Sequence, residues 1–253
     1  MEKISPHHPR GESLRIRARL VEGFKSGLVV PEGLAAHGRG EAFDYILGER
    51  TTKQAERAIE AAAAMLLLAE HPVISVNGNT AALVPTEIVQ LAKAVNAKIE
   101  VNLFHKSTSR EVAVARWLKK YGANEILGTQ QKFSTKIKEI HSDRRKVDQR
   151  GIAKADVVLV PLEDGDRTEA LKKLGKRVIT IDLNPMSRTA RAADATIVDN
   201  IVRAMPLLVG CAKRLSRDTR ANLCGIIGNF DNGDNLNTTL KFVAKRLKSI
   251  WQS

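Results

Sequence analysis

The stretch that decides the fold is residues 176–188, KRVITIDLNPMSR. Residues 178–181 form a short apolar, β-branched run, which is typical of a buried parallel strand. Polar residues follow at once. Because ligands of open α/β sheets bind beyond the carboxyl ends of strands, the stretch predicts a strand tip that presents Asp182, Asn184, Ser187 and Arg188 to a ligand. A strand followed by an ordinary polar turn has the same composition, so this stretch alone leaves both interpretations open.

Strand-like and helix-like segments alternate from residue 52 to residue 216. This alternation predicts an α/β fold with a largely parallel sheet and helices on both faces. Several further strands also run into polar residues, and parallel strands place such tips at one edge. We therefore expect a shared ligand edge formed by Asn77 and Asn79, by His105, by the acidic segment 163–167 and by residues 199–200.

The 253 residues suit a single domain with appendages. The appendages are an N-terminal helical segment (1–50), a variable basic loop (128–151) and C-terminal helices (200–253). The loop is predicted to be either mobile or an insertion over the active site. The two cysteines show no metal-ligand or disulfide spacing, and no signal peptide or bilayer-spanning run is apparent. A cytoplasmic protein that does not insert into membranes is expected.

The net charge of +13 raises the question of nucleic acid binding. The basic residues are spread over many helices, and only residues 132–150 form a local cluster. Aromatic residues make up 4%, so stacking platforms for single strands are scarce. The charge pattern therefore favours solvated helix faces, and no nucleic acid partner is expected.

Gly38 and Gly40 bracket Arg39 in the segment AHGRGEAFDYILGER, residues 36–50. We predict a glycine-rich turn before a helix at residues 41–47, with the Arg39 fork offered to phosphate or carboxylate. Neither a P-loop nor a dinucleotide fingerprint is present. Arg167 and Arg188 are further candidate anion clamps.

Three carboxylates, Glu163, Asp164 and Asp166, follow a predicted strand at residues 156–160. Like charges this close repel, so the group is expected to face Mg²⁺, an ammonium group or arginines. Acidic residues that favour a helix N-terminus explain the same pattern equally well. From the residues alone we infer a cytosolic α/β enzyme that acts on phosphorylated small molecules with a nucleotide.

Long motifs through nearly the whole chain resemble the archaeal phosphopantothenate synthetases, also called 4-phosphopantoate–β-alanine ligases. The resemblance is weakest at residues 128–150 and in the C-terminal helices. The motifs are SPHHPRGESLRIR (5–17), HGRGEAFDYILGERT (37–51), LLLAEHPVISVNGNTAALVP (66–85), ADVVLVPLEDGDRTEAL (155–171) and VITIDLNPMSRTARAADATIVDNIVRA (178–204).

The resemblance implies a Rossmann-like core, a cytosolic homodimer and the ATP-dependent joining of 4-phosphopantoate to β-alanine on the route to coenzyme A. Because a carboxylate is a poor electrophile, we hypothesise an acyl-adenylate, with AMP and diphosphate as products and Mg²⁺ neutralising the triphosphate. An acyl-phosphate, with ADP and phosphate as products, is the other route. Carried over by motif, the ATP contacts are Arg17, Arg39, Asp182, Leu183, Asn184, Ser187, Arg188, Asn200 and Ile201.

The remaining assignments combine the resemblance with the predicted strand tips. Arg39, Asp166 and Arg188 are the candidate catalytic residues, and Asp164 and Asp166 are the candidate metal ligands. Substrate contacts are assigned to Asn77, Asn79, His105, Glu163 and Asp164. Which carboxylate binds metal and which orients β-alanine stays open. The alternatives are another nucleotide-dependent enzyme acting on a phosphorylated small molecule, such as a phosphosugar transferase, and an RNA-binding protein that uses residues 132–150.

Overall fold

The computed structural model describes residues 5, 8 and 10–250. The helices are α1 (Gly11–Lys25), α2 (Pro31–Leu47), α3 (Lys53–Leu68), α4 (Gly78–Leu83), α5 (Pro85–Ala94), α6 (Thr108–Lys120), α7 (Gly165–Lys173), α8 (Arg188–Ala192), α9 (Ile201–Leu215), α10 (Arg220–Gly228) and α11 (Asn232–Ile250). The strands are β1 (Pro72–Val76), β2 (Lys98–Val101), β3 (Ser134–Lys136), β4 (Lys146–Asp148), β5 (Val157–Leu159), β6 (Arg177–Ile181) and β7 (Ala195–Ile197).

The central sheet has five parallel strands in the order β2-β1-β5-β6-β7. The order reverses between β1 and β5, because the chain leaves β1 toward one edge and later builds β5, β6 and β7 toward the other. This is one of the two common orders of doubly wound folds, whose ligands bind at such a switch point. The predicted α/β, Rossmann-like, largely parallel sheet is confirmed.

Successive residues of each strand point to opposite faces, so the sheet separates two apolar cores. Ile74, Leu159 and Ile179 belong to the larger core, which α3, α5 and α9 cover. Their neighbours Val73 and Val158 belong to a second core, which α7 and the chain between β2 and β5 cover. Helices therefore lie on both faces, as predicted.

The alanine-rich helix α3 is a core helix, since residues 61–64 have no exposed surface. Small side chains let α3 approach α9 and β7 closely. Thr52 caps the helix by accepting a hydrogen bond from the Ala55 amide at 3.2 Å. The sequence predicts a cap at Thr51, in a capping box with Gln54, or at Thr52, and the structure uses Thr52. Thr51 donates to the Asp199 carboxylate at 2.6 Å and ties the start of α3 to the tip of β7.

The basic segment at residues 128–151 is folded as the β3–β4 hairpin with two short 3₁₀ turns. Its apolar side chains Ile137, Ile140 and Val147 are buried in the second core. The segment is thus a packed insertion rather than a structureless loop. The predicted strand just before it, at residues 125–127, makes only an isolated bridge to Glu100.

Two local predictions in the helices are wrong. The helix predicted at residues 41–47 begins much earlier, with Pro31 at its first position, so residues 38–40 are helical rather than a turn. It ends at Gly48, whose φ of +92° gives the left-handed termination that glycine favours. The sequence also predicts that Ser109 caps the helix after β2, but Ser107 caps α6 instead, through the Arg110 amide.

Glu100 on β2 holds the base of the hairpin through backbone hydrogen bonds. Its carboxylate accepts from the amide of Asp148 at 2.9 Å and from that of Ile152 at 2.6 Å. Gly151 is required beside it, because a Cβ there would overlap a Glu100 oxygen. Burial raises the pKa of the Glu100 carboxyl from 4.5 to about 7, against the opposing effect of the two amides.

We expect this carboxyl to make stability depend on pH. A raised folded pKa means that the folded state binds the proton more tightly, so stability falls as pH rises from 4.5 through 7. Relative to Glu100→Gln, which does not titrate, the wild type should lose about 2 kcal/mol of unfolding free energy between pH 5.5 and 8.5. Urea unfolding at both pH values measures the difference, and parallel pH profiles would contradict it.

Among the described residues, no helix is both long and apolar enough to cross a membrane.

Candidate functional site at the switch-point edge

Asn77 joins the two loops that flank the switch point. Its side-chain amide donates to the carbonyls of Pro161 at 3.0 Å and Leu162 at 3.1 Å, beyond the tip of β5. Its oxygen accepts from the Thr80 amide at 2.9 Å and caps α4. The side chain predicted to contact substrate is therefore engaged in positioning the loops. Asn79, also predicted to contact substrate, donates to the Gly33 carbonyl at 2.8 Å and attaches α2 to this edge.

The tip of β6 is a tightly bonded polar loop. Asp182 accepts from the Asn184 amide at 2.9 Å and from the Ser187 hydroxyl. Ser187 in turn caps α8 through the Ala190 amide at 2.9 Å. The Asn184 side chain accepts from the Met186 amide at 2.9 Å. Burial raises the pKa of the Asp182 carboxyl, and these hydrogen bonds oppose the rise. These bonds fix the shape of the loop at the tip of β6, where the opening stretch predicts a ligand contact.

Helix α2 passes over this loop and brings Arg39 to it. Gly40 is the point of approach, since a Cβ there would lie 3.7 Å from Leu183, which is buried beneath. The exposed Arg39 guanidinium attracts the Asp182 carboxylate and counters the rise in its pKa. The structure therefore brings Arg39 close to Asp182 and Leu183. Arg39 lies on helix α2, whereas the sequence predicts that it lies in a turn.

Arg17 on α1 is held against α2 by Glu41. Its Nη2 lies 2.6 Å from Glu41 Oε2, and its Nε lies 3.1 Å from the same oxygen. Glu41 also accepts from Ser13 and, at 3.1 Å, from Tyr45. These donors lower the pKa of the Glu41 carboxyl despite its burial. Arg17 thus has a fixed position against α2, the helix that carries Arg39.

The tip of β7 contributes Asn200 and Ile201. Asn200 caps α9 through the Val202 amide at 3.2 Å and donates to Asp44 on α2 at 2.8 Å. Ile201 is buried. Arg203 bonds both Asp44 and Asp199, and those two carboxylates raise the pKa of Arg203 against the effect of burial. A small cavity of about 10 Å³ lies between these side chains and His37.

Arg188 begins α8 at the same edge. It is 59% exposed and makes a bidentate pair with Glu169, with nitrogen–oxygen distances of 3.1 and 2.8 Å. The loop after β5 approaches it at Gly165, where a Cβ would overlap that of Arg188. Asp166 is exposed in the next position and attracts the Arg188 guanidinium. The two predicted catalytic groups Asp166 and Arg188 are therefore neighbours.

The acidic group after β5 is divided between the interior and the surface. The Glu163 carboxylate is 1% exposed and bonds both Arg144, from the hairpin, and Arg167. Arg167 is itself fully buried and also donates to Ser75 at 3.1 Å. The predictions that Glu163 contacts a substrate and that Arg167 clamps an anion do not fit this arrangement, because each neutralises the other inside the protein.

Asp164 remains accessible, with a side chain 47% exposed and 3.5 Å from the Arg144 Nε. Partial desolvation raises the pKa of the Asp164 carboxyl, while Arg144 opposes the rise. Within the described ranges no cluster of three or more histidine, cysteine or acidic side chains could hold a metal ion. Asp164 and Asp166 could still supply the one or two carboxylates with which proteins hold a phosphate-bound Mg²⁺.

His105 lies on the loop after β2, outside the β6–β7 group. Its side chain is exposed, 4.0 Å from Glu32, and its ring is edge-on to Phe104. The structure thus leaves His105 apart from Asp182 and Arg188, at the other end of the edge.

Comparison with known proteins gives this edge a family context. The model of the phosphopantothenate/pantothenate synthetase family matches residues 54–246, which include every strand of the sheet. The chain belongs to this family. It is 53% identical over 258 residues to the 4-phosphopantoate–beta-alanine ligase of Thermococcus kodakarensis, with 100% of this chain and 98% of the relative covered.

Two further relatives are also named 4-phosphopantoate–beta-alanine ligases. The Thermococcus onnurineus ligase is 54% identical over 251 residues, which cover 99% of this chain and 95% of the relative. The Methanosarcina mazei ligase is 48% identical over 250 residues, which cover 99% of this chain and 98% of the relative. The matches extend across the N-terminal helices that carry Arg17 and Arg39.

Sequence reasoning missed two groups that shape the site. Glu41 fixes Arg17, and the only available signal was its position beside the predicted turn. Arg144 reaches Glu163 from a segment without periodic patterning. Glu163 meets Arg167 across the start of α7, because Glu163 lies two residues before the first residue of that helix.

Proposed function

We propose that this chain is an ATP-dependent ligase that condenses 4-phosphopantoate with β-alanine to 4′-phosphopantothenate, a step toward coenzyme A. The observation that carries the proposal is the identity of 45–54% with ligases of that name over nearly the full chain. The arrangement of anion-binding and acidic groups at one sheet edge supports it.

The nucleotide would lie over the tips of β6 and β7. The loop at residues 182–188, held in shape by its internal hydrogen bonds, would present the Arg188 fork. Arg39 would lie over that loop, Arg17 would lie against the same helix α2, and residues 200–201 would close the far end. Cations in these positions suit a polyphosphate because charge-assisted hydrogen bonds to phosphate are strong.

The reaction needs activation because a carboxylate is a poor electrophile. We propose that the carboxylate of 4-phosphopantoate attacks the α-phosphorus of ATP and expels diphosphate. The β-alanine amine, once deprotonated, then attacks the acyl carbon and expels AMP. Arg39 and Arg188 would stabilise the charge that develops on the phosphoryl oxygens. Asp164 and Asp166 would hold Mg²⁺, which neutralises the phosphates, or would orient the ammonium group of β-alanine.

Product analysis tests the activity and the route together. Purified protein is incubated with ATP, 4-phosphopantoate and β-alanine, and with each acid omitted in turn. We expect AMP, diphosphate and 4′-phosphopantothenate in equal amounts only in the complete mixture. ADP and phosphate would instead indicate an acyl-phosphate. Nucleotide turnover without 4′-phosphopantothenate would contradict the ligase assignment.

A homodimer and a cytoplasmic location belong to the same proposal. Light scattering should give about twice the chain mass of 27.8 kDa. A mass of one chain would contradict the dimer.

The structure offers no support for the RNA-binding alternative. Two basic side chains of the 132–150 cluster are engaged in ion pairs within the protein. Arg144 is buried against Glu163, and Arg150 pairs with Asp148 at 2.9 Å and lies over the Phe133 ring. Fewer charges therefore face solvent than the sequence implies.

A further inference from the structure

The loop that follows β2 carries an exposed aromatic ring beside two arginines. We call residues 104–107 the Phe104 loop. Phe104 is 45% exposed, and the Arg144 guanidinium lies 6.0 Å from the centre of its ring. Arg110, in the first turn of α6, donates to the carbonyl of His105 in the same loop. An exposed phenyl ring next to a guanidinium offers apolar and cationic contacts to one ligand.

Arg110 differs from its basic neighbours in its partners. Its guanidinium donates to two backbone carbonyls, those of His105 and, at 3.0 Å, Leu28. Within the described part of the chain no carboxylate lies within 4.0 Å of it, and its buried Nε has no acceptor. Burial lowers the pKa of Arg110, the more distant Glu32 carboxylate opposes this, and the positive charge of Arg144 lowers the pKa further. A cation held this way gains stability from an anionic ligand.

The other cations at the Phe104 loop are already neutralised. Arg144 bonds Glu163, and Lys106 lies 2.6 Å from the carboxylate of Glu111. Among the described arginine and lysine side chains at this loop, Arg110 is thus the one without a carboxylate within 4.0 Å. Its charge can therefore be neutralised by a ligand. The two carbonyls hold its fork in place, so little side-chain entropy remains to be lost on binding.

We propose that Arg110 and the Phe104 loop bind 4-phosphopantoate, with Arg110 holding its phosphate and the Phe104 ring packing against its two methyl groups. The inference rests on the proposed function and adds a location for the acid substrate. That molecule has a phosphate at one end, a carboxylate at the other and a dimethyl-substituted carbon between them. A planar guanidinium matches phosphate oxygens in pairs, and the ring removes the methyl groups from water.

The order of the strands places the proposed 4-phosphopantoate site at the same edge of the sheet as the proposed nucleotide site. The loops of β6 and β7 lie on one side of the switch point, and the Phe104 loop follows β2 on the other. Three strand spacings, roughly 14 Å, separate β2 from β6. With its phosphate at Arg110, the acid would direct its carboxylate toward the tip of β5. Asp164 and Asp166 would then lie between the two substrates.

Calorimetric binding of two acids to the full chain isolates the role of Arg110. D-pantoate lacks the phosphate but keeps the carboxylate and the methyl groups. We expect Arg110→Ala to weaken 4-phosphopantoate binding by about 100-fold and D-pantoate binding by less than about 3-fold. ATP binding should not change. Arg116→Ala is the matched control, because Arg116 is an exposed cation on the same helix, and it should leave all three affinities unchanged.

Further variants keep the test decisive if Arg110→Ala does not fold. Arg110→Lys retains the charge but not the fork and should weaken 4-phosphopantoate binding selectively. Phe104→Ala should weaken both acids by about 10-fold, since both carry the methyl groups. Equal effects of the Arg110 variants on both acids, or none, would overturn the inference. So would a wild type that does not bind 4-phosphopantoate. Selective binding without 4′-phosphopantothenate formation would instead contradict only the proposed function.

Discussion

Replacing Glu163 with alanine should lower the free energy of unfolding by about 3–5 kcal/mol. Its carboxylate is the shared partner of Arg144 and Arg167, which are 6% and 0% exposed. Removal of the acid leaves two buried cations close together, with only the half-exposed Asp164, 3.5 Å from the Arg144 Nε, and one hydrogen bond from Arg167 to Ser75 to compensate. Guanidinium chloride unfolding at pH 7 measures the loss.

Two comparisons separate this burial effect from a general effect of losing an acid. Glu125→Ala is the matched control, since Glu125 pairs with Lys98 and Arg150 on the surface, and it should cost less than about 1 kcal/mol. Replacing Glu163 with leucine and both of its arginine partners with methionine should recover most of the stability, because no unpaired charge remains. A Glu163→Ala variant as stable as the Glu125 control would contradict this account.

The second large effect is expected at Arg188, where alanine should lower kcat/KM for ATP by about 100-fold. The exposed guanidinium stands at the start of α8, directly after the preformed loop at residues 182–187. The acid substrate would lie elsewhere on the edge, so binding of 4-phosphopantoate should not change. Steady-state rates with ATP varied, together with calorimetry for the acid, separate the two effects.

Arg191→Ala is the control for Arg188, because Arg191 is an exposed arginine on the same short helix. Its rate should stay within about 3-fold of the wild type. Glu169→Gln tests whether the ion pair between Glu169 and Arg188 competes with ATP for the Arg188 guanidinium. An exposed pair contributes little energy, so freeing the fork should tighten ATP binding by no more than about 3-fold. An unchanged rate for Arg188→Ala would remove Arg188 from the nucleotide site.

Much of the fold could be predicted because the sheet is buried on both faces. Such strands read as short apolar runs, as at residues 73–76 and 178–181, and the polar residue after each run marks its tip. The hairpin could not be predicted, since strands of three residues show no periodicity. The turn predicted at Gly38 and Gly40 is part of a helix, and the wrong prediction has a physical reason. Gly40 lies inside a helix where another chain segment approaches, and glycine also suits turns.

The positions of the candidate site residues at the strand tips could be predicted, but the partners of their side chains could not. The sequence places Asp182, Ser187 and Arg188 at one strand tip, and they meet there. It does not show that Glu163 turns inward while Asp164 stays accessible, because adjacent acids look equivalent until the helix and the hairpin enclose one of them. Arg144 decides that difference, and it lies 19 residues before Glu163 in the chain.

The β3–β4 hairpin has a consequence for engineering this chain. Its length, charge and weak family resemblance suggest a site where tags or deletions would be tolerated. Yet one side of the hairpin seals the second core with Val147, while its turn delivers Arg144 to the interior of the ligand edge. A change in its length would therefore be transmitted to the candidate site, and insertions are better directed to the exposed connection between α9 and α10, at residues 216–219.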